Sequence, residues 1–105
     1  MEQRRTRRFA LKLPLSITRS GAQRVALAGS TLNISSSGVL FTAEREPDLA
    51  GPIEYVITLN SDGKQEVHLR CIGKVVRSER AEQPTGMRGC QIAATLERYE
   101  FVRDR

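Results

Sequence analysis

The sequence predicts an all-β chain: six antiparallel strands closing into a small β-barrel, with a flexible basic N-terminal arm before it and a C-terminal α-helix after it. Three observations predict this. Apolar and polar residues alternate with a period of two in several separate stretches, the signature of half-buried strands. Turn residues separate those stretches at short intervals, which favours hairpins and a closed sheet that hides its edges. The positive charge is concentrated ahead of the first strand. Of the formal +5 carried by 105 residues, Arg4, Arg5, Arg7, Arg8 and Lys12 against Glu2 supply +4, leaving +1 for the remainder.

Residues 1–10 read as the arm and residues 11–105 as a single domain, the length allowing one modest core. Leu11, Leu13, Leu15 and Ile17 alternate with polar residues as the first strand, and Pro14 puts it at an edge or next to a bulge. Ser20-Gly21 is a turn. A second strand is expected from about Arg24 to Leu32, with Gly29 marking a bulge or a close backbone approach. The small polar run Asn33-Ile-Ser-Ser-Ser-Gly38 interrupts the pattern before Val39-Leu-Phe-Thr resumes it as a third strand.

Gly51-Pro52 leads into a fourth strand with Ile53, Tyr55, Ile57 and Leu59 on one face, and Asp62-Gly63 suits a hairpin turn. The fifth strand is expected from about Gln65 to Arg77, with Val67, Leu69, Cys71, Gly73 and Val75 on one face. The stretch from Glu79 to Thr85 reads as a polar loop, and Gly89-Cys-Gln-Ile-Ala as a short sixth strand. Thr95 suits the cap of a closing helix in which Leu96, Tyr99 and Val102 face the body. Phe41 and Tyr55 read as core.

The same residues exclude several classes of function. His68 is the only histidine, and no nucleophile or metal partner stands at a fixed spacing from it. Acidic residues are scattered singly, and no phosphate-binding P-loop is present. An enzyme is therefore not expected, and neither is a metal or cofactor. Cys71 and Cys90 lack metal-type spacing and read as small buried residues of a reducing compartment. The Arg-rich start lacks the apolar run of a signal peptide, and no stretch has membrane-spanning length, so a cytoplasmic protein without membrane insertion is expected.

Two stretches carry chemistry. Arg4 and Arg8, three residues apart in between, offer planar, permanently charged guanidinium groups that match phosphate oxygens and stack on bases. Asn33 and Ser35 offer neutral donors and acceptors, and Gly38 allows close backbone approach. Taken singly, the first also fits a solvated basic tail and the second an ordinary turn.

Together, Arg4-x-x-x-Arg8 followed by Asn33-x-Ser35-x-x-Gly38 between two strands resembles the PilZ domain, whose marks are R-x-x-x-R and [D/N]-x-S-x-x-G. Phe9, Gly73-Lys-Val-Val-Arg77 and Gly89-Cys-Gln-Ile extend the likeness over nearly the whole chain. The resemblance implies a PilZ-like, split-barrel-type fold that binds cyclic di-GMP, a bacterial second messenger, either singly or as a stacked dimer. It implies that Arg4, Arg8, Asn33, Ser35 and Gly38 hold the ligand, with Gln3, Arg5, Arg7, Ser36 and Arg77 as secondary candidates. With half of that site on a flexible arm and half on the barrel, signalling by ligand-induced ordering of the arm is expected, read by a downstream protein partner or by a second copy of the chain in a homo-oligomer. The rival readings are a small basic barrel that binds nucleic acid non-specifically, and a PilZ-like protein adaptor that takes no ligand. Low aromatic content and a nearly neutral body speak against the first, so no nucleic-acid partner is expected.

Overall fold

The computed structural model describes residues 8–47, 51–60, 66–82 and 88–103. They form seven strands: β1 (Pro14–Ser20), β2 (Gln23–Ile34), β3 (Gly38–Ala43), β4 (Pro52–Asn60), β5 (Val67–Glu82), β6 (Arg88–Thr95) and β7 (Arg98–Arg103). All pairings are antiparallel. The order β4-β1-β2-β3-β6-β5 returns to β4 and closes a barrel of six strands. The long β5 makes the closure: its first half pairs with β4, and its second half pairs with β6. β7 lies outside the ring, along the other edge of the first half of β5.

The alternating apolar residues fill the barrel. Leu15 and Ile17 of β1, Phe41 of β3, Ile53, Tyr55 and Ile57 of β4, Cys71 of β5 and Ile92 of β6 are buried. Each such large apolar side chain stabilises the fold by about 1.5–3 kcal/mol. Phe41 and Tyr55 pack with ring centroids 5.5 Å apart, as core residues. The Tyr55 hydroxyl donates to the Thr95 carbonyl at 3.0 Å, so burying the phenol strands no polar atom. Cys71 and Cys90 are both buried and free.

Pro14 opens β1, where its missing donor costs least, and a bulge follows between Ile17 and Arg19. A Cβ on Gly29 would sit 1.8 Å from the Thr42 carbonyl oxygen, so the close approach expected there is between β2 and β3 themselves. Upstream of β1, buried Thr31 ties down the incoming chain. Its hydroxyl donates to the Leu11 carbonyl and accepts from the Leu13 amide. Farther back, Phe9 and Ile34 exchange backbone hydrogen bonds of 2.8 and 2.9 Å.

Two expectations are corrected. The C-terminal helix is a strand, since Arg98–Arg103 pairs residue for residue with Val67–Ile72 as β7. Leu96, Tyr99 and Val102 recur every three residues, yet Tyr99 and Phe101 also alternate, and aromatic and β-branched residues suit a pleated surface. The uncovered edge of β5 decides for the strand. Thr95 caps no helix either: its hydroxyl accepts from the Lys74 amide at 2.8 Å and donates to Glu97 Oε2 at 2.9 Å. The second correction concerns β5, which runs on through Glu82 into the stretch expected to be a polar loop. A bulge at Val76 breaks the alternation there and conceals the strand in the sequence.

Candidate functional site

The site is set by where two bulges fall. Along β2, Leu27 and Thr31 point into the barrel, so strict alternation would turn Asn33 inward as well. The register shift between Thr31 and Asn33 takes up Leu32 and puts Asn33 opposite Leu40, on the outer face. Along β5, Cys71 and Gly73 are buried and Val75 packs on the core, so the same rule would turn Arg77 inward. The shift between Val75 and Arg77 takes up Val76 and brings Arg77 outward, opposite Ala93.

Both residues thereby join one lateral row, Asn33–Leu40–Ala93–Arg77, crossing β2, β3, β6 and β5. Three interstrand steps separate its ends by about 14 Å. The small side chain of Ala93 leaves the middle of the row low. Arg8 stands over the Asn33 end, its Nη1 donating to Asn33 Oδ1 at 3.0 Å. Arg8 and Arg77 line one cleft of about 200 Å³, together with Ser37, Gly38, Leu40, Val76, Ala93 and Thr95. Val76 is 68% exposed beside them. No carboxylate stands among the described residues lining the cleft, so its two guanidinium groups present uncompensated positive charge to it.

Ser35 has a structural part in this arrangement. It is 5% exposed, and its Oγ accepts from the Ser37 and Gly38 amides at 3.3 and 3.2 Å. It also lies 3.2 Å from the Gly38 carbonyl, as a donor, and its own amide donates to that carbonyl at 2.9 Å. The hydroxyl thus closes the β2–β3 turn on itself. Gly38 is required by its neighbour: a Cβ there would come within 2.9 Å of the Ala94 carbonyl oxygen. Ser36 is exposed at the turn's tip.

The structure therefore brings together Arg8, Asn33, Gly38 and Arg77, with Ser35 beneath them. Gln3, Arg4, Arg5 and Arg7 lie outside the described residues. Sequence reasoning did not single out Ser37, Leu40, Val76 or Ala93. Ser37 occupies an unspecified position of the N-x-S-x-x-G pattern, and the others are ordinary strand residues until the register makes them neighbours.

A larger cleft of about 390 Å³ lies between β5 and β7, lined by Arg70, Ile72, Glu97, Arg98, Tyr99 and Glu100. It holds none of the motif residues, and the 2.6 Å ion pair of Arg70 with Glu100 compensates charge within it. Size alone does not make it the better anion site. Among the described residues no group of three His, Cys, Asp or Glu side chains is placed to hold a metal ion, and no helix is long and apolar enough to cross a membrane.

A family model for the PilZ domain matches residues 2–101. The chain belongs to the PilZ domain family. No curated protein and no solved structure matches it. PilZ domains are generally cyclic di-GMP receptors rather than enzymes. In this PilZ domain the second arginine of the R-x-x-x-R motif and the asparagine of the N-x-S-x-x-G motif are hydrogen-bonded to each other. Its terminal element is the strand β7, where the sequence led to the expectation of a helix.

Proposed function

We propose that this PilZ domain is a bacterial, cytoplasmic receptor for cyclic di-GMP that takes the ligand on the outer barrel face between Arg8 and Arg77. The observation that carries the reading is the cleft itself. Two arginines, one from the R-x-x-x-R motif and one from the bulge of β5, flank a low floor that includes Leu40, Val76 and Ala93, with no carboxylate among the described residues that line it. A cyclic dinucleotide has matching parts: two phosphates for the guanidinium forks and flat bases to lie on Val76, Leu40 and Ala93.

In the proposed mechanism the Arg8–Asn33 hydrogen bond is what the ligand replaces. Arg8 leaves Asn33 Oδ1 for a phosphate or guanine oxygen; at a phosphate both donor and acceptor carry charge, which strengthens the bond over that to the neutral amide oxygen. Asn33 is released to a base edge. Arg4 belongs to the same motif, and the proposal has it close over the ligand from the arm, with Gln3, Arg5 and Arg7 beside it. Of the arm, residues 1–10, the part ahead of Phe9 would then act as the moving part, with Phe9, held to Ile34 by two backbone hydrogen bonds, as its hinge and the domain beginning at residue 11 as the fixed one. The energy for that switch is the difference in ligand affinity between open and closed arm. A protein partner, or a second copy of the chain, would read the closed form, and a stacked ligand dimer is the alternative stoichiometry.

The test is a calorimetric titration of the wild-type chain and of Arg8→Ala with cyclic di-GMP and with a generic single-stranded oligonucleotide. Saturable binding of the cyclic dinucleotide that weakens in Arg8→Ala supports the receptor. Tighter binding of the oligonucleotide supports the nucleic-acid reading, and no binding by a folded chain supports the adaptor.

A further inference from the structure

β7 is built unlike the other strands. All six of its side chains are exposed, including Tyr99 at 61% and Phe101 at 62%. These two rings make an edge-to-face pair with centroids 6.2 Å apart. They lie opposite Cys71 and Leu69 of β5, on the face that continues the barrel's interior. Among the described residues β7 pairs only with β5, so its outer edge is open. An open edge is a template for another strand, and proteins that avoid such pairing blunt it with proline, charged side chains or a bulge. Arg98–Arg103 has no proline and its pairing with β5 has no register shift, while its charges, Arg98, Glu100 and Arg103, restrict the registers in which a second strand can pair.

We propose that β7 is a self-association edge, pairing antiparallel with β7 of a second copy about a two-fold axis through Phe101. Geometry and charge select the register. A two-fold axis normal to the sheet sets each residue against one on the same face, so the registers with the longest overlap have the axis on Glu100 or on Phe101. An axis on Glu100 would set the two glutamates against each other, and like charges directly opposite are destabilising. An axis on Phe101 avoids that conflict. It sets Phe101 against its own copy, Glu100 against the partner's Val102, and Tyr99 against the partner's Arg103. That last contact is a cation–π pair, and symmetry makes it twice. Glu100 enters the interface already neutralised by Arg70 at 2.6 Å. The same patch on both copies is what a two-fold interface requires. Because only short strands meet, the contact falls at the small end of specific interfaces, and the dimer is weak and concentration-dependent.

Sedimentation velocity over a wide concentration range tests the dimer, and cysteine cross-linking tests its register. The wild-type chain should pass from monomer to dimer as concentration rises. Phe101→Lys, which sets two ammonium groups face to face at an exposed position, should weaken association about tenfold. Glu100→Cys and Val102→Cys should each cross-link poorly alone under mild oxidation and efficiently when mixed, since only residues directly opposite lie within disulfide reach. Buried Cys71 and Cys90 do not compete. A chain that stays monomeric throughout overturns the proposal. So does a dimer indifferent to Phe101→Lys, or one in which Glu100→Cys links to itself as readily as to Val102→Cys.

Discussion

Ser35→Ala separates two roles for a hydroxyl that family resemblance assigns to the ligand. Ser35 Oγ accepts from two turn amides at 3.2–3.3 Å and approaches the Gly38 carbonyl at 3.2 Å. These are long bonds, each worth the lower part of about 0.5–1.5 kcal/mol. The donors and acceptor left behind belong to Ser37 and Gly38, and water reaches the exposed turn to offset part of the loss. The net cost is therefore about 1–2 kcal/mol, or roughly 5–10 °C in Tm for a domain near this size. Thermal melts followed by circular dichroism, without ligand, measure it directly. A hydroxyl whose main partner is the ligand would instead leave the ligand-free Tm unchanged and cost affinity alone. That pattern, an unaltered melt with binding lost, would refute the assignment of Ser35 to the turn.

Three further outcomes are expected. Arg8→Ala and Arg77→Ala each remove one charge-assisted contact, about 1.5–3 kcal/mol, so the Kd for cyclic di-GMP should rise roughly 10- to 100-fold in titrations. Because both side chains are exposed, the melting temperature without ligand should barely move. Gly29→Ala forces β2 and β3 apart, since its Cβ would sit 1.8 Å from the Thr42 carbonyl oxygen. It should destabilise the fold by about 3 kcal/mol in urea unfolding, the upper part of the overpacking range. Alkaline pH should also destabilise the fold. Burial pushes the Cys71 thiol from 9.0 up to about 12 and raises the Tyr55 phenol, again mainly by burial. The folded state keeps protons that the unfolded chain gives up. The Cys71 contribution is thus fully present below pH 9.0 and is lost as pH rises toward 12, at about 1.4 kcal/mol per unit. Melts at neutral pH and between pH 9 and 11 check the sign.

The strands inside the barrel were readable because each faces core on one side only. Leu15 and Ile17, or Ile53, Tyr55 and Ile57, keep a period of two that the structure repeats in their burial. β7 was not readable. Leu96, Tyr99 and Val102 satisfy a helical face as well as Tyr99 and Phe101 satisfy a strand, and the deciding partner, the edge of β5, is distant in sequence. The end of β5 was lost for a different reason: the extra residue Val76 reverses the phase of everything after it. The motif residues of the candidate site were readable as types and spacing. Their assembly was not, since Asn33 and Arg77 share a row only through two bulges and three strand registers. Ser35 and Gly38 carry a further lesson. The resemblance assigns them to the ligand, and their visible tasks are a closed turn and a close approach to β6.

The most direct test of the account is an amide chemical-shift map of the labelled chain as cyclic di-GMP is added. The account predicts shifts concentrated at Arg8, Asn33, Gly38, Leu40, Val76, Arg77 and Ala93, with Tyr99 and Phe101 of β7 little changed. Shifts centred instead on Arg70, Arg98 and Glu100 at the larger cleft, or none at saturating ligand, would contradict it.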